Sequence, residues 1–140
     1  MDTNICIWFM LTSIYLGTRI GRVKVIFTLP QTLQAPGYTM TAPSQWPMTP
    51  LAYVEWFTSQ GPVANITHSM YKFSKAFDSQ GQPQGAVIPI SNIRQSCMLF
   101  PIFPRKQKIP TDWRPDNIVD KVQSFLINNC LNKYSYQTLW

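Results

Sequence analysis

A chain of 140 residues with 45% hydrophobic side chains fits one domain around one core, and that composition does not imply a membrane protein. Charged residues make up only 13%, against 12 prolines and 6 glycines, a balance that favours short strands and turns over long solvated helices. Twelve Lys and Arg against six Asp and Glu give a formal charge of +6, which biases encounters toward nucleic acid, anionic membranes or acidic protein tails and says nothing about fold.

The chain opens with MDTNICIWFMLTSIYL, an apolar run of about a dozen residues that falls short of the ~20 needed for a membrane-spanning helix. It lacks the basic start and the small residues before a cut that a signal peptide requires. Residues 1–17 are therefore expected to be an apolar segment foreign to the domain, or else a terminal element packed on it. Residues 18–140 are read as a single β-barrel-like module. Arg19 to Leu29 alternates, with Val23, Val25, Phe27 and Leu29 facing one way and Arg22, Lys24 and Thr28 the other, which predicts an amphipathic strand. Pro30 ends it. Residues 30–50 also contain Pro36, Pro43, Pro47 and Pro50, and the expectation is an irregular surface connection with Tyr38 and Trp46 folded back onto the barrel.

LAYVEWFT, residues 51–58, sets Ala52, Val54 and Trp56 on one side of an extended chain and Tyr53, Glu55 and Phe57 on the other. Aromatics on both faces predict a central strand covered on both sides, with Trp56, Phe57, Val25 and Phe27 in one core. SMYKFSK (69–75) predicts a further strand, joined across the turn DSQGQPQG to a strand at 86–90 as a long-looped hairpin. Residues 91–93 read as a tight turn and 96–103 as a strand interrupted by Pro101. Asp112 and Asp116 flank Pro115 at the start of a short helix whose apolar face is Ile118, Val119 and Val122. Residues 124–128 fit a helix or a strand, and 134–139 are the last strand candidate. The fold expected is mainly β: a small, partly open β-barrel or strongly twisted antiparallel sheet with one short helix near residues 115–123.

Catalytic chemistry is poorly supplied. His68 is the only histidine, and Cys6, Cys97 and Cys130 are too far apart for a CxxC metal site and odd in number for a disulfide framework. Reduced thiols fit an intracellular compartment. Asp112, Asp116 and Asp120 are spaced by four, but Pro115 leaves Asp112 outside the helix, so no metal site is expected. There is no phosphate-cradling glycine loop. The reading is a non-enzymatic protein with no cofactor and no small-molecule substrate. Arg22 and Lys24 on one strand, with Arg105, Lys106 and Lys108 between prolines in a loop, form the candidate surface for nucleic acid or an acidic partner.

The segments RIGRVKVIF, LAYVEWF, MYKFS, IPISNIRQSC and DNIVDKVQSFLIN, taken as an ordered set over residues 19–140, resemble a C-terminal domain of proteins encoded by basidiomycete transposons of the Plavaka and KDZ type. There a stretch like RVGRVRVVF leads into LAYVEWF, MYKVS, IPVSDIRRSC and a DNV-containing segment. The resemblance implies a transposon-derived, nuclear accessory module and not a transposase, since six scattered acidic residues do not supply a two-metal centre. The same order is similar, more loosely, to the bromo-adjacent homology domain, a chromatin-associated β-barrel some of whose members read methylated lysine through an aromatic cage. That resemblance implies a candidate aromatic pocket of Trp56, Tyr71 and Glu55, and a chromatin protein as partner. Membrane association is not expected. The alternative is a small secreted or membrane-associated basic protein, with residues 1–16 as signal or anchor and Asn65-Ile66-Thr67 as a glycosylation acceptor.

Overall fold

The computed structural model describes residues 8–13, 17–59, 67, 69–103, 110–114 and 117–128. Among the described residues there are ten strands: β1 (Trp8–Ser13), β2 (Gly17–Phe27), β3 (Thr32–Ala35), β4 (Tyr38–Thr41), β5 (Leu51–Ser59), β6 (Lys72–Lys75), β7 (Gly85–Pro89), β8 (Ile93–Ser96), β9 (Leu99–Pro101) and β10 (Ser124–Ile127). A 3-10 turn, Ile90–Asn92, joins β7 to β8, and a single helical turn, α1 (Ile118–Lys121), precedes β10. The protein is mainly β, and its larger sheet is a strongly curled antiparallel half-barrel. Among the described residues no helix is long and apolar enough to cross a membrane.

The half-barrel is a meander in which β1, β2, β5 and β7 pair in turn. The 3-10 turn then carries the chain from the β7 edge to the opposite edge, where β8 pairs with β1. β5 is the centre. β2 lies along one side of it, while β7 (opposite Leu51–Glu55) and β6 (opposite Phe57–Ser59) follow one another along the other. From β6 a second layer continues through β10 to β9, an edge strand where Pro101 costs no ladder bond. The expected hairpin between the 69–75 and 86–90 strands is therefore replaced: both strands pair with β5, and the turn that separates them is held by a bridge between Phe77 and Pro83 and by the backbone N–H groups of Gln84 and Asp78, which donate to the carbonyls of Ala76 and Gln82. In that turn the Asp78 carboxylate accepts the backbone N–H groups of Gln80 and Gln82, each at 2.8 Å.

The register gives β5 two different faces. Ala52 and Val54 are fully buried with Val23, Ile88, Ile90 and Ile93 against them, so strands from both edges of the sheet meet there; this is the inside of the curl. Phe57 faces outward, where it joins Ile20, Val119, Val122, Phe125 and Ile127 in the larger core between the half-barrel and the second layer. Its ring meets Phe125 edge-on at 5.6 Å. Trp56 packs on the inner cluster, with Gly21 beneath its ring; a methyl group at Gly21 would overlap Val54. Trp56 and Phe57 thus belong to two cores.

Val25 belongs to neither. The ladder between β2 and β5 slips at Lys24, so Val23 stands opposite Val54 while Val25 stands opposite Tyr53. This β-bulge turns every later residue of β2 to the other face, and Val25 ends 50% exposed. Arg22, assigned to the polar face by alternation, is instead 7% exposed.

Residues 30–50 are also more regular than their prolines suggest. β3 and β4 form a separate two-stranded sheet, because Pro30, Pro36 and Pro43 all fall outside the strands. Pro36-Gly37 is the connection, with Gly37 at φ 86° in the conformation required at the second central position of a type II turn. Tyr38 does not fold back onto the barrel; it is 62% exposed. Residues 124–128 resolve as strand β10 with Phe125 and Ile127 buried, whereas residues 134–139 lie outside the described residues.

Candidate functional site

The outer face of β2 and β5 changes character along its length. At one end Ile20 and Phe57 are roofed by α1 and β10. At the other, Val25, Tyr53 and Val87 stand opposite one another across β2, β5 and β7, and among the described residues no second layer covers the two valines, which are 50% and 54% exposed. Tyr53 lies down over Gly85, which has no side chain to displace it. Between the two ends is a cleft of about 320 Å³, bordered by Arg22, Lys24, Glu55, Lys75, Asp120 and the ring of Phe77.

Three cations and two carboxylates share this cleft. The buried Arg22 guanidinium donates to the Asp120 carboxylate, tying β2 to α1. That hydrogen bond, and the positive charge behind it, hold the Asp120 carboxyl below the usual carboxylate range despite a partial loss of hydration. Lys75 donates to the Asp120 carbonyl at 2.7 Å, satisfying one of the carbonyls that a helix end leaves open. Burial lowers the Lys75 pKa, Asp120 opposes that shift and Arg22 adds to it. Lys24, the extra residue of the bulge, stands 3.7 Å from Glu55 and keeps about a third of its side chain in solvent. Counting these five groups, three positive and two negative, the cleft carries one net positive charge.

The residues expected from the sequence are thus distributed unevenly. Arg22 and Lys24 reach the cleft, but Arg22 is committed to Asp120 and acts as a structural tie. Arg105, Lys106 and Lys108 lie outside the described residues, as does His68. Trp56 and Glu55 both border the cleft, yet alternation sends their side chains to opposite faces of β5, where Arg19 covers the Trp56 ring at 4.2 Å. Tyr71 packs against the larger core. These three do not form one cage. Lys75 and Asp120, absent from the sequence-based set, are brought in by β6 and α1. Only their positions, at the end of an alternating strand and in the polar side of a helical turn, hint at a shared role.

Other groups are accounted for locally. Asp112 pairs with Lys121 and Asp120 with Arg22, so the two carboxylates turn to different partners. Burial pushes the Cys97 thiol up to about 12, which leaves it un-ionised and unreactive at neutral pH. Among the described residues no three His, Cys, Asp or Glu side chains gather as metal ligands. No family model matches the chain, and neither the curated proteins nor the solved structures contain a match.

Proposed function

We propose that this protein is a non-enzymatic interaction module of a transposon-derived nuclear protein, and that it binds an acidic segment of a chromatin-associated protein partner at the cleft and the uncovered strand row beside it. The observation that carries the reading is the junction of Lys24 and Lys75 with Val25, Tyr53 and Val87 on one continuous face. A carboxylate entering the cleft finds two ammonium groups, and an aliphatic or aromatic neighbour covers the valines. A nucleic-acid backbone satisfies the first requirement and not the second. The transposon origin and the nuclear setting rest on the ordered resemblance of residues 19–140 to the basidiomycete domain.

The test is fluorescence anisotropy with a labelled peptide rich in Asp, Glu, Leu and Phe beside a labelled duplex. The peptide should bind, weaken as salt rises, and lose about tenfold in affinity with Lys24→Glu, equivalent to ~1.4 kcal/mol. Tighter binding of the duplex, with a slope of log affinity against log salt near ~3, would instead assign the protein to nucleic acid. In that case the Arg105, Lys106 and Lys108 triple alanine variant should remove most of the slope.

A further inference from the structure

Among the described residues, three strands of the eight-stranded sheet keep an open side: β8 beyond β1, β9 beyond β10, and β7 beyond β5. Two of them are guarded. β8 pairs through a bulge at Arg94, and β9 is three residues long and includes Pro101, devices that keep stray strands from pairing. β7 has neither, since Gly85–Pro89 runs opposite Leu51–Glu55 without a register shift and holds no charge. Hydrogen bonds at its two ends fix which backbone groups face out. The Trp56 N–H donates to the Gln84 carbonyl and the Ile90 N–H to the Pro50 carbonyl, so the even-numbered residues from 84 to 90 turn their backbone groups to β5 and the odd-numbered ones turn theirs away. Gly85 and Val87, both exposed, therefore direct an N–H and a carbonyl outward, and Pro89 a carbonyl alone.

We propose that an acidic protein segment binds as an added strand along the open side of β7, with a carboxylate side chain beside Gly85 and an apolar one beside Val87. This rests on the reading of the neighbouring cleft as a site for such a segment and gives the segment its conformation and pattern. An open strand selects an extended peptide, because only a chain with free N–H and C=O groups at strand spacing meets that row; a duplex or a packed helix does not. Alternation puts Gly85 and Val87 on the outer face with Tyr53 and Glu55, the face that holds the cleft. The Tyr53 hydroxyl lies over Gly85, where a side chain would otherwise begin. The added residue opposite Gly85 thus meets a hydroxyl that can donate to a carboxylate. It does so at the end of β7 nearer the cleft, which Pro83 borders and whose net positive charge draws an acidic chain. The added residue opposite Val87 covers an exposed isopropyl group. The pattern recognised is therefore Asp or Glu two positions from Val, Ile or Leu.

Amide hydrogen exchange of the full chain, followed by NMR with and without a peptide in which Asp stands two positions from Val, tests it. In the free protein the Gly85 and Val87 amides should exchange quickly and those of Ala86 and Ile88, inside the ladder, slowly; saturating peptide should slow the two outward amides about tenfold or more. Fluorescence anisotropy with N-methylated peptides gives a second readout. Methylating one set of alternate peptide amides should cost about tenfold or more in affinity and methylating the other set little, because an added strand turns only every second amide toward β7. Val87→Pro removes an outward donor that the ladder with β5 does not use, and it should weaken the peptide likewise while the chain still folds. A peptide that binds and is weakened by Lys24→Glu, yet leaves the Gly85 and Val87 amides fast and tolerates both methylated sets, overturns the added strand and keeps the acidic cleft. A Val87→Pro variant that binds like the parent also overturns it. A peptide that does not bind at all overturns both readings.

Discussion

The two ends of the outer face of β2 and β5 start from similar material and finish differently. Ile20 and Phe57 at one end, and Val25 and Tyr53 at the other, are all large side chains on adjacent strands, yet the first pair is buried and Val25 is half in solvent. What separates them is a line of charge. Arg22, Lys24 and Glu55 cross the sheet where α1 stops, and the Arg22–Asp120 pair pins the helix on the near side of that line. The lesson is that apolarity alone does not decide what a sheet face buries; the second layer reaches only as far as its charged fastening allows.

The largest effect should come from removing the roof. Phe125→Ala deletes a fully buried ring in contact with Phe57 and should cost ~3 to 5 kcal/mol in urea unfolding, whereas Val25→Ala at the open end should stay within about 0.5 kcal/mol. Similar losses at the two sites would erase the distinction between the ends. Next is Gly21→Ala, which forces a methyl group into Val54 beneath the Trp56 ring and should cost about 1 to 3 kcal/mol. A neutral result in the same melts would mean that β2 and β5 can part locally without loss.

Asp120→Asn loosens the fastening itself. Asp120 is more than half exposed, so the expected cost is a discounted ~1 kcal/mol. The pH dependence is more informative. The folded carboxyl titrates below its unfolded value, so its contribution is complete above the ordinary Asp value of about 3.9 and is lost as pH falls through the lower folded value. The variant should therefore show a shallower acid limb than the parent, and identical limbs would deny the pair any role in stability. The smallest effect is at Lys75, whose folded pKa is lowered by burial. In the window between that value and the ordinary one the unfolded chain binds more protons, so the parent gains stability with rising pH. Lys75→Met should flatten this alkaline gain while moving neutral stability by under about 0.5 kcal/mol.

Much of this architecture was legible residue by residue. The alternation in LAYVEWF identified the central strand and its two covered faces, since each face carries side chains that need cover. The bulge was not legible. Nothing in RVKVIF marks Lys24 as the extra residue, and a one-residue slip exchanges faces without any change in composition. The β3–β4 hairpin was hidden because prolines were weighed by number, whereas their effect depends on position, and here they punctuate strands that contain none. The cleft was half visible. Arg22 and Lys24 could be picked out as strand cations, but the pairing of Arg22 with a carboxylate 98 positions away is a product of topology that no local pattern encodes.

The place of β1 between β2 and β8 also has a consequence for how the chain comes together. With β2, β1 closes through a short local connection, while its other partner, β8, places Ser96 opposite Phe9 from far along the sequence. The local hairpin can therefore form early, and the half-barrel closes only after the whole meander and the 3-10 crossover are in hand, because loop-closure entropy must be met before the last ladder rewards it. During that interval β1 presents an open edge to its surroundings. A newly synthesised chain should thus be most prone to mispairing in the period before Ile93–Ser96 arrives, and β8 is the element whose docking ends that vulnerability.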